Sequence, residues 1–506
     1  MVLKPFFSAV LLLLSGASLT FAFAPFAIWP VTFFALTIAI RQLHVRPPSG
    51  FMTGWLFGLG WFGAGISWVH VSIADFGGLP IVASVGLMVL LCSYLALYPA
   101  LAFYLTKRLF TPALWPLALP AFWFTSEWLR SWMLSGFPWL SVGYSQLDSP
   151  MAGWFPVIGE TGVSALVIML CTCAAIWTMR RRYLPVLLVM AITFASGWVL
   201  HNYRWTTAHK TYQVAMVQGN IEQSIRWEPE QDLPIMNTYR RLSAPLMSND
   251  LIIWPEAAIP KLEYLARDYL YQLDADAAEQ GTAIVSGIVN MNFESQDIWN
   301  NLIVVGQKVD GDDGHYRYGG TNRYAKHHLL PVGEFVPFED ILRPLAPLFD
   351  LPMSSFNRGE FMQPNLVANG IRLAPAICFE IAFARQVAAN VHRNTDMILT
   401  VSNDAWFGHS HGPAQHLEIA RARAAEMGRP VIRATNNGIT AFIDARGEVT
   451  ARLLQFEQGS ISASVTGTRG LTPYRYAADW PMIGLLLISI SLAAWLQRQA
   501  RGTRAA

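Results

Sequence analysis

Acidic residues are nearly missing from the first 200 positions of this 506-residue chain, where only Asp75, Glu127, Asp148 and Glu160 occur against 34 Asp and Glu in the whole. So little acidic charge excludes an ordinary soluble domain there. Cysteine is scarce too. Cys92, Cys171 and Cys173 fall in apolar runs, which leaves Cys378 alone in the polar part of the chain. A single cysteine excludes a disulfide within that part, and its thiol is either a group for chemistry or an inert buried side chain. A strong charge imbalance is also lacking: the net charge is +2 and the basic clusters flank apolar runs, which points to membrane topology and away from a nucleic-acid partner. No persuasive cleavage signal follows the first apolar run, and further runs come at once, so it reads as a membrane segment and not as a removed leader.

What is present is a series of apolar runs near 7–24, 27–41, 51–73, 82–106, 112–130, 157–177, 184–200 and 479–496. Their length and composition predict about eight membrane spans. Lys4, Arg41 and Arg46, Lys107 and Arg108, the run Arg180 to Arg182, and Arg498 and Arg501 then fall on one side of alternating spans. The excess of positive charge on the inner side predicts that both termini are cytoplasmic and that residues 201–475 lie outside, in the periplasm if the cell has two membranes. The expected division is a seven-helix membrane domain over 1–205, a large outer domain over 206–475, and a membrane helix with a cytoplasmic tail over 476–506. The glycines of GLGWFGAG, residues 58–65, sit inside an apolar span. They predict close helix packing and not a phosphate cradle.

In the large domain, TYQVAMVQGN, DLIIWPE, GTAIVSGIV, NNLIVVGQ, IRLAPAICF and DMILTVSND are short β-branched runs that end in polar or glycine-containing segments. They predict buried strands with loops at their ends. Gln415–Gly428 reads as a helix with Leu417, Ile419, Ala420 and Ala424 as packing positions, and VIRAT and GITAFIDARG return to strand character. An α/β domain is the economical fold.

Cys378 stands where an apolar run meets a probable helix, with Phe379 and Glu380 next to it. A strand-to-helix turn there lets a thiolate point into a cleft while nearby backbone N–H groups, that of Phe379 included, face a developing oxyanion. Acyl transfer by a thiol also needs a base and a nearby positive charge. Glu256 in WPE and Lys326 in RYAKHHLLPVGE stand at the edges of strand and loop segments, although each taken alone reads more simply as a surface charge.

Taken together and in this order, WPE at 254–256, KHHLLPVGE at 326–334, CFE at 378–380 and SNDAWFG at 402–408 resemble the apolipoprotein N-acyltransferase family, an integral-membrane branch of the nitrilase-like superfamily. The nitrilase-like pattern covers roughly 212–470, and the run of spans extends the resemblance to nearly the whole chain. It implies an α-β-β-α sandwich beside a helical bundle of about eight spans. It also implies a triad of Glu256 as proton acceptor and donor, Lys326 as stabiliser of the charged intermediate, and Cys378 as the acyl-carrying nucleophile. Glu334 matches a further active-site carboxylate, and Glu380 a polar position near the nucleophile. The implied reaction is ping-pong transfer from a phospholipid, expected to be phosphatidylethanolamine, to the amine of an S-diacylglyceryl-cysteine at an apolipoprotein N-terminus. It takes place at the inner membrane of a Gram-negative bacterium and needs neither metal nor cofactor.

Other features carry two readings. Trp227 in SIRWEPE matches an aromatic position near the substrate entrance, and it reads equally as an ordinary core or surface aromatic. SGFPWLSVGYSQ, 135–146, reads as an interfacial anchor or as a lipid-recognition segment. Glu127 and Arg130 lie one helical turn apart, placed either to pair or to line a polar cavity. His409, His411 and His416 suggest a metal site only superficially, since no cysteine or acidic ligand set accompanies them. The resemblance places Asn403, Trp406 and Phe407 of that stretch near the substrate. Asn436, Asn437 and Gly438 read as a turn using left-handed backbone geometry.

Overall fold

The computed structural model describes residues 3–45, 49–76, 78–309, 316–331, 333–335 and 356–505; Arg46, one of the charges used for orientation, lies outside them. The chain forms two compact units, residues 1–204 with 476–506, and residues 205–475.

The first unit is helical, because long apolar runs satisfy their backbone groups internally only as helices. Each of the eight expected runs falls on helix, and they differ in reach. Ile81–Leu109, Ala152–Met179, Tyr183–Asn202 and Trp480–Arg501 are long and apolar enough to cross a membrane, and Gly50–Gly65 with Val69–Asp75 makes a fifth if that pair, bent by 60°, is one span. Phe6–Ala22 and Pro30–Val45 are shorter apolar helices. Trp115–Arg130 has 16 residues. At the standard rise it is about 24 Å long, short of a hydrocarbon core of about 30 Å. Glycines set the helix crossings: a Cβ on Gly60 would stand 2.1 Å from the Leu13 carbonyl oxygen, and one on Gly58 would stand 2.8 Å from the Ala96 Cα. The glycine-rich stretch is therefore packing geometry, as its apolar setting predicts.

The second unit contains two mixed sheets. β1 (Thr207–Gln218), β2 (Leu251–Ile253), β3 (Ile259–Leu262), β4 (Ala283–Met291), β5 (Ile298–Gly306) and β6 (Arg323–Ala325) join β13 (Gly459–Arg469) in one sheet of order β13-β1-β2-β4-β5-β6, with β3 on β4. β7 (Leu366–Ala368), β8 (Ile371–Ile377), β9 (Met397–Ser402), β10 (Val431–Thr435), β11 (Ala441–Ile443) and β12 (Val449–Arg452) form the other, in order β12-β11-β10-β9-β8-β7. Val214, Ile253 and Val285 from the first sheet share one buried cluster with Ile377, Leu399 and Ile432 from the second. The opposite face of the first sheet packs Ala215, Ile252 and Ile284 against Ile235, Tyr239, Leu270 and Leu273 of the helices Asp232–Ser243 and Arg267–Glu279.

These partners explain why the strands read as continuous apolar runs: β9 is buried at every position, as a strand covered on both faces must be. The expected helix near 415–428 is Gly412–Met427, and Leu417, Ile419, Ala420 and Ala424 are all buried. Its end at Gly428, φ +59°, is a left-handed cap that glycine adopts without strain. Residues 436–438 do connect β10 to antiparallel β11 as expected, but the left-handed geometry expected there is corrected, since none of the three carries a positive φ.

Candidate active site

The strand ends deliver the chemistry-bearing residues. Glu256 follows β2 on a loop that lies directly on β4, where a Cβ on Gly287 would come within 2.4 Å of the Ala257 nitrogen. Lys326 follows β6 immediately, and its backbone N–H donates to the Asn300 carbonyl at 2.9 Å. Cys378 directly follows β8 with φ +54°, a left-handed conformation that is rare for a side-chain-bearing residue, and begins the short helical turn Cys378–Ala382. The strand-to-helix turn expected from CFE is therefore present.

Lys326 is the hub. Its ammonium donates to Glu334 at 2.8 Å and lies 3.4 Å from Glu256 Oε1, with the lysine only 2% exposed. Asn300 spans the same two carboxylates, donating from Nδ2 to Glu256 Oε1 at 2.8 Å and to Glu334 Oε1 at 3.2 Å. The second Glu256 oxygen accepts the Asn403 backbone N–H at 3.0 Å. The geometry thus brings Lys326 into direct contact with both Glu256 and Glu334, with Cys378 nearby.

Burial alone would push the Lys326 ammonium down, but the Glu256 and Glu334 carboxylates outweigh it and hold the group well above the usual lysine value. Lys326 therefore stays protonated; it supplies positive charge and is no base. Burial first, and the Glu256 charge second, push the Cys378 thiol well above its ordinary value, against the lowering influence of Lys326. The resting thiol is neutral, so its proton must leave as it attacks. A thiol, a carboxylate and a fixed ammonium are the parts that acyl transfer through sulfur requires.

Glu380 does something else. It is fully buried and accepts from Ile377 N at 2.7 Å, His327 N at 2.8 Å, His328 N at 3.0 Å, Gln386 Nε2 at 2.7 Å and the Tyr324 hydroxyl at 3.0 Å. Burial raises its carboxyl, opposed by these hydrogen bonds. Its carboxylate ties the strand end before Cys378 to the loop after Lys326, so it holds two site segments in register. Phe379 packs edge-on against Phe383, with ring centroids 5.0 Å apart.

Among the residues expected near the substrate, Asn403 reaches the cluster through its backbone N–H. Its side chain also donates to Gln223 Oε1 at 2.5 Å and accepts from Asn436 Nδ2 at 3.1 Å. Asn436 in turn holds both the N–H and the C=O of Ile221. These bonds fix the loop that carries Trp227, a half-buried residue. Trp406 is half-buried in the turn Asp404–Phe407, and Phe407 lays its ring against His416 at 5.8 Å. His416 is buried and donates from Nε2 to the Cys378 carbonyl at 3.1 Å. Among the described residues no group of three or more His, Cys, Asp or Glu is arranged to hold a metal ion.

Sequence reasoning missed Asn300, Ser402, Asp404, Arg433 and the role of His416. A weak signal existed for the first, since the paired Asn300 and Asn301 interrupt an otherwise apolar strand.

Two family models match the chain. The apolipoprotein N-acyltransferase N-terminal domain matches residues 15–173, and carbon-nitrogen hydrolase matches residues 213–474. An apolipoprotein N-acyltransferase of Vibrio cholerae is 46% identical over 492 residues, 96% of each chain. One of Photobacterium profundum is 43% identical over 512 residues, covering 99% of this chain and 97% of the relative. Among solved structures, a carbon-nitrogen hydrolase from Helicobacter pylori aligns with 55% of this chain and 94% of its own, at 13% identity and a TM-score of 0.37.

Proposed function

The chain belongs to the apolipoprotein N-acyltransferase family, and from that premise we propose how its own residues perform phospholipid-dependent N-acylation of an apolipoprotein. Cys378 Sγ attacks an ester carbonyl of the phospholipid while Glu256 takes the thiol proton. The C–O bond breaks, Glu256 returns the proton to the departing oxygen, a lysophospholipid leaves and a thioester remains on Cys378. The free α-amine of the S-diacylglyceryl-cysteine then attacks the thioester, Glu256 accepts the amine proton, and it restores the thiol as the C–S bond breaks. Lys326, kept protonated by its two carboxylates, faces the negative charge of both tetrahedral intermediates, and Glu334 with Asn300 holds Lys326 and Glu256 in place.

The observation that carries this reading is the bridge of Lys326 between Glu256 and Glu334 beside the half-buried Cys378 thiol. We read the second unit as a nitrilase-like α-β-β-α sandwich and the first, with its apolar helices, as part of a multi-pass membrane protein with about eight spans. In that arrangement both termini are cytoplasmic and residues 206–475 are in the periplasm, on the outer side of the inner membrane. Retention in the membrane suits the substrates, since carrying an acyl chain into water costs about 0.8 kcal/mol per CH₂. Trp227, Trp406 and Phe407 offer apolar surface to those chains. Phosphatidylethanolamine is the donor we expect.

Purified protein given acyl-labelled phosphatidylethanolamine and a diacylglyceryl-cysteine peptide should yield N-acylated peptide and lysophospholipid in equal amounts. Labelled free fatty acid with unmodified peptide would contradict the reading and indicate transfer to water.

A further inference from the structure

Beneath Cys378 lies a set of buried groups that the transfer chemistry does not use. His416 comes from the helix Gly412–Met427, Arg433 from β10, Ser402 from the end of β9 and Asp404 from the turn after it. All four converge on the nucleophile. Asp404 Oδ1 accepts the Ser402 hydroxyl at 2.6 Å, and Oδ2 accepts Arg433 Nη2 at 2.7 Å. His416 Nδ1 stands 3.1 Å from both Asp404 Oδ1 and Arg433 Nη2. The other nitrogen of that ring donates to the Cys378 carbonyl at 3.1 Å. Ser402 stands next to Cys378 where β8 and β9 run parallel, since Ile377 pairs with Val401 one residue before each. One carboxylate therefore anchors two neighbours of Cys378, Ser402 directly and His416 through the Arg433 guanidinium that donates to both.

The space around Asp404 is closed. A Cβ on Gly438 would stand 2.2 Å from Asp404 Oδ2, so only glycine leaves room for the carboxylate there. The Phe407 ring rests against the imidazole that Asp404 and Arg433 orient. A left-handed cysteine persists only where its surroundings over-determine it. Here the carbonyl turned by that conformation is the one His416 holds.

We propose that Asp404 is a positioning residue for the nucleophile, acting through Arg433 and His416 on the Cys378 carbonyl and through Ser402 on the adjoining strand end to hold Cys378 aimed for attack. The inference rests on reading Cys378 as the acyl carrier, and its test separates the two. In the full-length protein, His416→Phe, His416→Gln, Ser402→Ala and Asp404→Asn are compared by thermal midpoint, by the rate of iodoacetamide alkylation at Cys378, and by single-turnover acylation from phospholipid. His416→Phe should slow alkylation and acylation by roughly 10- to 100-fold, with half-saturation for phospholipid little changed. His416→Gln, which keeps a donor for the carbonyl, should recover most of the loss, and Ser402→Ala should give a smaller loss in the same direction. Asp404→Asn should lose at least as much as His416→Phe; if it does not fold, the single-arm variants decide. Wild-type rates in both His416→Phe and Ser402→Ala, or a His416→Gln no better than His416→Phe, would overturn the proposal. Normal alkylation of the wild-type thiol with no acyl adduct would instead sink the acyl-carrier reading and leave alkylation to judge the positioning.

Discussion

The two units bury carboxylates in opposite ways. In the helical unit, Glu127 accepts from Trp123 Nε1 at 3.0 Å, the Ser141 hydroxyl at 2.8 Å and the Val142 N–H at 3.1 Å, while Arg130 donates to the carbonyls of Phe137 and Trp139. Those bonds join one helix to the segment that follows it, so the charges act as scaffold. In the α/β unit, Glu256 and Glu334 share one ammonium beside a thiol. What distinguishes a reactive buried charge is a partner that can exchange or stabilise charge during a reaction, and not burial alone.

Apolar side chains differ between the units in the same instructive way. On the helix Tyr183–Asn202, Leu184, Leu187, Leu188, Ile192 and Trp198 face outward and only Val186, Thr193 and Gly197 are buried. Strand β9 buries every residue. The first surface is built for a hydrocarbon solvent, and the second for a protein interior.

The comparison is broken most severely at the thiol and its base. Cys378→Ala should abolish N-acylation, and Glu256→Gln should lower single-turnover acylation by about 10² to 10⁴-fold, as loss of a positioned general base does. Glu127→Gln, a comparable change in the helical unit, should leave the activity of the folded protein near wild type. Next in size, Glu380→Gln weakens an acceptor that serves five buried donors and should cost about 1–3 kcal/mol of stability, read as a lower unfolding midpoint. Leu188→Lys should reduce membrane insertion, by up to about 2.5–3.5 kcal/mol if the position lies near mid-bilayer. The same change at exposed Leu454 of the α/β unit should stay within about 0.5 kcal/mol in thermal unfolding. The subtlest effect is in pH. The Cys378 thiol lies above its ordinary value of 9.0, so below that pH the thiolate is a minority that grows as protons are removed. With the base gone in Glu256→Gln, residual alkylation should climb about tenfold per pH unit from about 6 to 8, measured by mass spectrometry of the Cys378 peptide.

Much of this was legible because it depends on runs of residues. Long apolar stretches located the helices, short β-branched ones located β1, β4 and β9, and the motif order assembled Glu256, Lys326, Glu334 and Cys378. The short antiparallel strands β7 and β12 escaped, since three or four residues leave too little periodicity to read. Asn300 and Arg433 escaped for another reason. Each sits within a strand where alternation marks only which face is buried, and the charges it meets lie on loops distant in sequence, Glu256 and Glu334 for Asn300 and Asp404 for Arg433. His416 looked like a stray metal ligand because its partners, the Cys378 carbonyl and Asp404, come together only in three dimensions. The left-handed geometry expected at 436–438 failed because Asn-Gly is a local signal, whereas Asn436 is held by the distant Ile221 and Asn403.

The central claim is that the acyl group passes through Cys378. The most direct measurement is the intact mass of the wild-type chain and of Cys378→Ala after incubation with phosphatidylethanolamine and no acceptor. An added acyl mass on the wild type alone, chased off by a diacylglyceryl-cysteine peptide that becomes N-acylated, is the expected result. N-acylated peptide accumulating from the Cys378→Ala chain, or from a wild type that never carries the added mass, would contradict it.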